Sequence, residues 1–176
     1  MSEQKLETQI FGRDVSFEYS DTWIGYSLLA LRLVMGWVFF SAGIQQVADP
    51  TWTAKSFLLY GVADSNPFVG IWTVIANDWS WLVTPLNQVG LTLIGLGLLF
   101  GTLVRLSSFF GGIMFTFYWL ASFPLENGWL IDDHVVYVLL LFGLGAFGAG
   151  RIIGLDVWLE KLDFVEQHPR LKLLLG

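Results

Sequence analysis

Cysteine is absent from this chain of 176 residues, and histidine occurs only twice, as His134 and His168. Without cysteine the chain cannot form a disulfide, a thiolate nucleophile, a cysteine-bound zinc site or a cysteine-bound iron–sulfur cluster. A haem held by two histidines of one chain would need both of these residues, and His168 lies in a polar tail. We therefore expect no haem and no iron–sulfur cluster in this chain.

Charged residues are also scarce. They make up 14% of the chain against 55% hydrophobic residues, and the mean hydropathy is +0.62. This composition is too apolar for a soluble domain of this size and is typical of a protein that crosses a membrane several times. The net charge of −6 makes nucleic acid a poor partner and leaves the lipid bilayer as the expected one. We interpret residues 1–176 as a single membrane domain.

Four apolar segments have the length of membrane-spanning helices, because about 20 residues cross a hydrocarbon core of roughly 30 Å. The predicted spans are residues 26–47, 83–102, 106–123 and 134–152. Pro85 suits the first turn of the second span, and Gly97 with Gly101 would let another helix approach closely. We therefore predict an all-α membrane protein built as an antiparallel four-helix transmembrane bundle.

The segments outside these spans carry weaker patterns. Residues 51–82 form a long outer loop rich in tryptophan, which we interpret as interfacial or re-entrant pieces, although residues 68–76 could instead begin a kinked span. Residues 15–19 alternate apolar with polar side chains, which favours an extended segment. Residues 154–167 place apolar side chains on one helical face and predict an interfacial amphipathic C-terminal helix that lies along the membrane.

The distribution of lysine and arginine predicts the orientation of the bundle, because cytoplasmic loops are enriched in these residues. With four spans both termini lie on one side. That side holds eight of the nine basic residues, and only Lys55 lies on the other side. We therefore expect a multi-pass protein of the cell membrane with both termini in the cytoplasm and residues 51–82 outside.

Arg32 interrupts the first predicted span. A charge within a span costs about 2.5–3.5 kcal/mol on insertion scales, so it normally faces protein, water or a headgroup. Arg32 could bind an anionic headgroup, a quinone oxygen or an anionic substrate; alternatively it could extend to the cytoplasmic surface or pair with Asp156. Arg105 and Arg151 should lie at the same cytoplasmic level as Arg32. There the three arginines would form a basic ring that binds a cofactor; alternatively, they would only set the orientation of the protein in the membrane.

A second candidate site is the cluster of Asp132, Asp133 and His134 at the outer start of the fourth span. A histidine beside carboxylates can relay the protons that quinone reduction consumes, so we predict a catalytic role for these three residues. An aspartate could instead simply cap the helix. A metal site is not expected, because adjacent positions on one helix point in different directions. The amides that could hydrogen-bond a quinone carbonyl are Gln45, Gln46, Asn87 and Gln88.

Three stretches of the sequence resemble one known family. They are LRLVMGWVFFSAGIQQVADP, GLTLIGLGLLFGTLVRLSSFFGG and LLFGLGAFGAGRIIGLD. In order and spacing they are similar to the DoxX family: the first to its opening helix, the second to its second helix, arginine turn and third helix, and the last to its closing helix. Within that family the chain resembles the DoxD-like membrane subunit of thiosulfate:quinone oxidoreductases. One position departs from the pattern, because family members often carry a lysine where this chain has Gln46.

The resemblance implies a membrane subunit of a quinone-linked oxidoreductase. Such a subunit would bind quinone and manage protons, while a partner subunit would supply electrons from thiosulfate or another reduced sulfur compound. One alternative is a non-catalytic scaffold or assembly subunit, acting with a partner protein or as a homo-oligomer. A second alternative is a small-molecule transporter, which the lack of a polar stripe through the spans disfavours.

Overall fold

The computed structural model describes residues 3–125 and 130–176, and this part of the chain is mostly helical. The strands are β1 (Glu3–Ile10) and β2 (Arg13–Ser20). The longer helices are α1 (Asp21–Ala48), α2 (Ala54–Tyr60), α3 (Val69–Asp78), α4 (Ser80–Phe100), α5 (Val104–Ala121) and α6 (Asp133–Ala146). The short closing elements are a 3-10 helix (Ala149–Arg151), α7 (Asp156–Leu159), α8 (Asp163–Gln167) and a second 3-10 helix (Pro169–Leu173).

Close backbone contact joins α1 and α4, which run antiparallel. Glycines on both helices make this possible. A Cβ added at Gly43 of α1 would lie 2.5 Å from the backbone nitrogen of Thr92 in α4, and one added at Gly36 would lie 2.8 Å from that of Leu99. Small residues at such positions are the usual means by which membrane helices approach each other.

The four longest helices pack in a ring, α1 against α4, α4 against α5, α5 against α6 and α6 against α1. Phe39, Leu98 and Leu141 are fully buried between them, and the rings of Phe39 and Phe115 lie 4.7 Å apart. Large apolar side chains are exposed on the outside of the same helices, as expected for contact with lipid; examples are Trp37, Leu93, Phe109 and Phe142. We call the end of the ring that holds Arg32 the arginine end and the opposite end, which holds His134, the histidine end.

Among the described residues, α1 and α4 are long and apolar enough to cross a membrane, and α6 is a shorter apolar helix. With the composition, this indicates a membrane protein. α1 is 28 residues long, about 42 Å at 1.5 Å per residue, and so exceeds a hydrocarbon core. The helical part of the fourth predicted span, 134–152, stops at Ala146, because Gly148 takes a left-handed conformation and a 3-10 turn follows.

An antiparallel hairpin precedes α1, and our prediction of an all-α fold is wrong there. β1 pairs with β2 so that Leu6 lies opposite Phe17. The two residues of the turn, Phe11 and Gly12, both have positive φ angles, which matches the right-handed twist of a hairpin. Alternation in residues 15–19 indicated the second strand, but β1 is mostly polar and gave no signal of its own.

The single amphipathic helix predicted over residues 154–167 is also wrong. This segment forms the short helices α7 and α8, separated at Leu162, which has an extended conformation. A continuous helix would carry the chain away from the ring at about 1.5 Å per residue. The break instead lets the chain turn back, so that the Leu174 carbonyl accepts a hydrogen bond from the Leu106 backbone N–H at 3.2 Å.

Candidate functional site

Arg32 lies in the centre of the arginine end and is only 1% exposed. Its guanidinium donates hydrogen bonds to three backbone carbonyls. Nη1 donates to Ala149 at 2.6 Å and to Ile152 at 2.9 Å, and Nη2 donates to Ile153 at 3.2 Å. The side chain therefore neither extends to the surface nor forms an ion pair within 4.0 Å with Asp156 among the described residues.

These three carbonyls belong to the 3-10 turn and the segment that follow α6. The Ala149 carbonyl also accepts the backbone N–H of Ile152 at 3.2 Å. Carbonyl oxygens at the end of a helical turn carry partial negative charge, so a cation beside them is stabilised. Gly154 makes the approach possible, since a Cβ there would lie 2.9 Å from Nη1 of Arg32. Arg32 of the first long helix thereby fixes the position of the segment that follows α6.

Asp156 also lies at the arginine end and is completely buried. Its carboxylate accepts hydrogen bonds from the backbone N–H groups of Leu103 at 2.7 Å and Val104 at 3.1 Å, where α5 begins. It also accepts one from Gly176 at 3.0 Å. Leu103 has a positive φ angle of 52°, an unfavourable conformation for leucine, and the carboxylate stabilises the tight turn that requires it.

The two other arginines have partners of their own at this end. Nε of Arg105 donates to the carbonyl of Gly145 at 3.2 Å. Arg151 forms an ion pair with Glu160, with Nη2 and Oε1 2.6 Å apart, and this hydrogen bond lowers the pKa of Glu160. The basic ring predicted from sequence is therefore divided among separate protein acceptors, and the cofactor-binding role of the three arginines stays a prediction.

His134 and Asp132 form a close pair at the histidine end. Nδ1 of His134 lies 2.7 Å from Oδ2 of Asp132 and 3.5 Å from Oδ1 of Asp133. Asp132 also caps α6, because its other oxygen accepts the backbone N–H groups of His134 and Val135. Capping and pairing with histidine, treated as alternatives from sequence, thus occur in one side chain. Asp133 is more exposed, with 67% of its side chain accessible.

Beside this pair, hydrogen bonds join polar side chains of the other three long helices to one another, and among the described residues none of these bonds reaches His134 or Asp132. We call Tyr118, Asn87, Gln46 and Gln88 the polar chain. The ring of Tyr118 lies 6.3 Å from that of His134, and its hydroxyl donates a short hydrogen bond to Oδ1 of Asn87. Nδ2 of Asn87 donates to Oε1 of Gln46 at 2.8 Å. Nε2 of Gln88 donates to the backbone carbonyl of Gln46 at 2.9 Å.

The structure thus brings together Gln46, Asn87 and Gln88, as their positions at one end of the predicted spans suggested. Gln45 is exposed and does not belong to this hydrogen-bonded set of side chains. Tyr118 was not predicted as a site residue. The available signal was its position near the end of a span, where a buried tyrosine hydroxyl needs a polar partner; its particular partner depends on helix packing and cannot be read from the sequence.

The segment between α1 and α4 covers this end beside α5. Asn66 is only 2% exposed. Its Nδ2 donates to the carbonyls of Leu120, Ala121 and Phe123 at distances of 2.9–3.0 Å. Asn66 therefore ties the covering segment to the end of α5, and this anchor carried no recognisable sequence signal.

The chemistry available at the histidine end is hydrogen bonding and proton exchange. A histidine beside a carboxylate can accept and donate protons, and amide and hydroxyl groups can bind a carbonyl oxygen. The ligand atoms of Asp132, Asp133 and His134 also lie within 4.8 Å of one another, close enough to hold a metal ion. The expectation that no metal binds there stays a prediction.

Comparison with known proteins gives one family and one relative. The family model described as DoxX matches residues 27–123, more than half of the chain. A protein of Haemophilus influenzae (strain Rd) named "Uncharacterized protein" is similar, with 28% identity over 143 residues, 78% of this chain and 86% of that protein. No solved structure matches. The matched region contains Arg32, Gln46, Asn87 and Tyr118 but ends before His134.

Proposed function

The chain belongs to the DoxX family, and from that premise we propose that it is the membrane subunit of a quinone-linked oxidoreductase. α1, α4, α5 and α6 would cross the membrane as an antiparallel four-helix bundle. Both termini and the arginine end would face the cytoplasm, as the distribution of lysine and arginine favours. The electrons would come from a partner subunit that oxidises thiosulfate or another reduced sulfur compound.

The observation that supports this proposal is the polar chain at the histidine end. Converting a quinone to a quinol takes two electrons and two protons, so the subunit that holds the quinone needs a route for protons. His134 has 21% of its side chain accessible and its Nδ1 lies 2.7 Å from a carboxylate oxygen of Asp132. This pair can collect protons from the outer aqueous face and Asp133, which is more exposed, can supply them.

The quinone ring would lie beside His134. Asp132 engages Nδ1, and the structure shows no hydrogen bond to Nε2 among the described residues, so the protonated imidazole could donate from Nε2 to a carbonyl oxygen. The hydroxyl of Tyr118 would supply the second proton, exchanging its hydrogen bond to Asn87 for one to the quinone. The side chain of Gln46 would hold Asn87 in place, and Gln88 would fix the backbone of Gln46. Gln45, which is exposed, would contact the ring only from outside.

The arginines enter the proposal differently. Arg32, Arg105 and Arg151 are the predicted cofactor ligands at the other end, and an anionic headgroup could approach Arg151, whose side chain is 43% accessible. The hydrogen bonds from Arg32 to three carbonyls favour a second candidate function, a non-catalytic scaffold. In that case the buried guanidinium would serve only to hold together a rigid surface for a partner protein or a second copy.

Bound quinone tests the proposal. The protein is purified in a mild detergent, its lipids are extracted, and quinone is measured by mass spectrometry while co-eluting proteins are identified. We expect about one quinone per chain, lost in His134→Ala and retained in the matched control His168→Ala, whose histidine lies in the exposed tail. A reproducible protein partner without any quinone would instead establish the scaffold and overturn the redox proposal.

A further inference from the structure

The hairpin formed by β1 and β2 has two chemically different faces. In an antiparallel pair, opposite residues share a face of the sheet, and successive residues alternate between the two faces. The first face, which we call the apolar face, carries the pairs Gln4–Tyr19, Leu6–Phe17, Thr8–Val15 and Ile10–Arg13. The second, which we call the polar face, carries the pairs Lys5–Glu18, Glu7–Ser16 and Gln9–Asp14.

The polar face is suited to water. Nζ of Lys5 lies 2.8 Å from Oε1 of Glu7, and Nε2 of Gln9 donates to Oδ1 of Asp14 at 2.9 Å. These residues are all exposed. The charged and amide groups of this face thus interact with one another and with solvent.

The apolar face is largely uncovered. Ile10 is 48% exposed and Phe17 is 50% exposed, and Phe11 in the turn beside this face is fully exposed. The rings of Phe17 and Tyr19 lie 6.2 Å apart and form a continuous aromatic patch. A hairpin of two strands is at best marginally stable by itself in water, so a cover over this face would stabilise it.

The connection to α1 holds the hairpin near the membrane interface. β2 ends at Ser20 and α1 begins at the next residue. Trp23 and Tyr26 are exposed on the first turns of α1, and these residue types are enriched where a membrane helix meets the headgroups. Ser20 precedes Trp23 by about 4.5 Å along a helix axis. With Trp23 at the interface, the base of the hairpin lies in the headgroup layer, which is about 5–8 Å thick on each side.

The distribution of charge favours lipid as the cover. The carboxylates of Glu7, Asp14 and Glu18 all lie on the polar face. The apolar face has a single charge, that of Arg13 beside the turn, and its sign is the one that lipid phosphate attracts. Apolar groups with a cation at their edge are the pattern of segments that lie in a membrane interface.

The size of the apolar face also favours lipid over a protein partner. Two strands of eight residues, with 3.4 Å per residue and a spacing of 4.8 Å, cover about 27 by 10 Å, or about 270 Å². A stable protein interface buries about 800 Å² on each partner, because association costs translational and rotational freedom. A bilayer that already holds α1 imposes no such cost, so a small face is sufficient.

We propose that the hairpin lies on the surface of the phospholipid bilayer beside α1, with its apolar face toward the acyl chains and its polar face toward water. The apolar side chains then reach about 5–10 Å into the boundary between headgroups and acyl chains. This inference rests on α1 crossing the membrane and is independent of any quinone.

The test compares the two faces of the hairpin in the full chain. The chain has no cysteine, so Thr8→Cys and Ser16→Cys each give one attachment point for a nitroxide spin label. The two residues are small, polar and exposed, but Thr8 lies on the apolar face and Ser16 on the polar face. Each labelled protein is placed in phospholipid nanodiscs, and protection of the backbone amides from hydrogen exchange confirms that the hairpin has formed.

The measurement is the depth of each label, obtained from its collisions with oxygen, which concentrates among acyl chains, and with a nickel chelate, which stays in water. We expect the label at Thr8 to lie about 5–10 Å below the phosphate level and the label at Ser16 to lie at or above it. In the Thr8→Cys protein, the further change Phe17→Ser should lower the ratio of docked to free hairpin about tenfold. The matched change Glu18→Ser, on the polar face, should leave the label docked.

Three outcomes would overturn the inference. If both labels collide equally with the nickel chelate, the hairpin stands in water. If the label at Thr8 is shielded from both reagents and its spectrum is broadened by a second label, another copy of the chain covers the apolar face. If that label is shielded from both reagents without broadening, the hairpin packs against the helices instead of the bilayer.

Discussion

Replacing Arg32 by alanine should destabilise the whole helical ring, whatever cofactor the protein binds. The substitution removes the guanidinium donor from the partly buried hydrogen bonds to the carbonyls of Ile152 and Ile153, and it leaves the buried carbonyl of Ala149 with the backbone N–H of Ile152 alone. A buried polar group without a partner costs about 1–3 kcal/mol. Water that enters the vacated space offsets part of this, so we expect a loss of about 3–5 kcal/mol, the range found when one partner of a buried charge interaction is removed.

For a chain of this length, 1 kcal/mol shifts the melting temperature by about 2–4 °C. The melting temperature of Arg32→Ala should therefore fall by about 6–20 °C, measured by tryptophan fluorescence in detergent. The melting temperature of Arg32→Lys should lie between those of wild type and Arg32→Ala. An ammonium group donates from one point and cannot reach all three carbonyls as the two terminal nitrogens of arginine do. Arg13→Ala is the control, because Arg13 is exposed on the hairpin.

The same experiment with and without added quinone separates a structural role from a ligand role. If Arg32 acts through the carbonyls, the loss of stability is the same with and without quinone. A melting temperature of Arg32→Ala within about 2 °C of wild type would refute the reasoning. A loss seen only in the quinone-loaded protein would do so as well, and it would make Arg32 a cofactor ligand.

Three further predictions concern other contacts. Gly43→Leu should prevent the close packing of α1 on α4 and yield aggregated protein on gel filtration, while Gly25→Ala, with open space around it, should elute normally. Asn66→Ala should lower the free energy of unfolding by about 2–4 kcal/mol in denaturant titrations, since three carbonyls lose a donor. The hydrogen bond from Arg151 lowers the pKa of Glu160. The Arg151–Glu160 pair therefore stabilises the fold fully above about pH 4.3, and this stabilisation is lost as the pH falls below that value. Melting curves of Glu160→Gln should therefore lack this acid-dependent part, which is under about 1 kcal/mol for so exposed a pair.

Hydrophobic runs made the long helices predictable, because crossing a membrane imposes a length and an apolar composition on the sequence. Predicted span 26–47 lies within α1, and span 83–102 overlaps α4 over all but its ends. The short elements were not predictable in the same way. β1 has no apolar alternation of its own, and the break at Leu162 depends on the chain returning to the ring, which is a tertiary contact.

The contacts of the candidate site likewise differ in whether the sequence could predict them. Asp132 and His134 are two residues apart, so their pairing follows from local geometry and could be predicted. Tyr118 lies 31 residues from Asn87, and which tyrosine faces which amide depends on how α5 rotates against α4. The acceptors of Arg32 were missed for another reason: they are backbone carbonyls, which every residue has and no sequence pattern marks.

The bond between Arg32 and its acceptors also sets an order of events during synthesis. The nearest acceptor, Ala149, lies 117 residues further along the chain. At about 5–20 residues per second, a ribosome needs roughly 6–23 s to make that stretch. During this time α1 stands in the membrane with a cation that lacks its final partners. The contacts that fix α1 can therefore form only after α6 and Ala149 have been synthesised. A chain truncated before Ala149 should be recognised and degraded as incomplete.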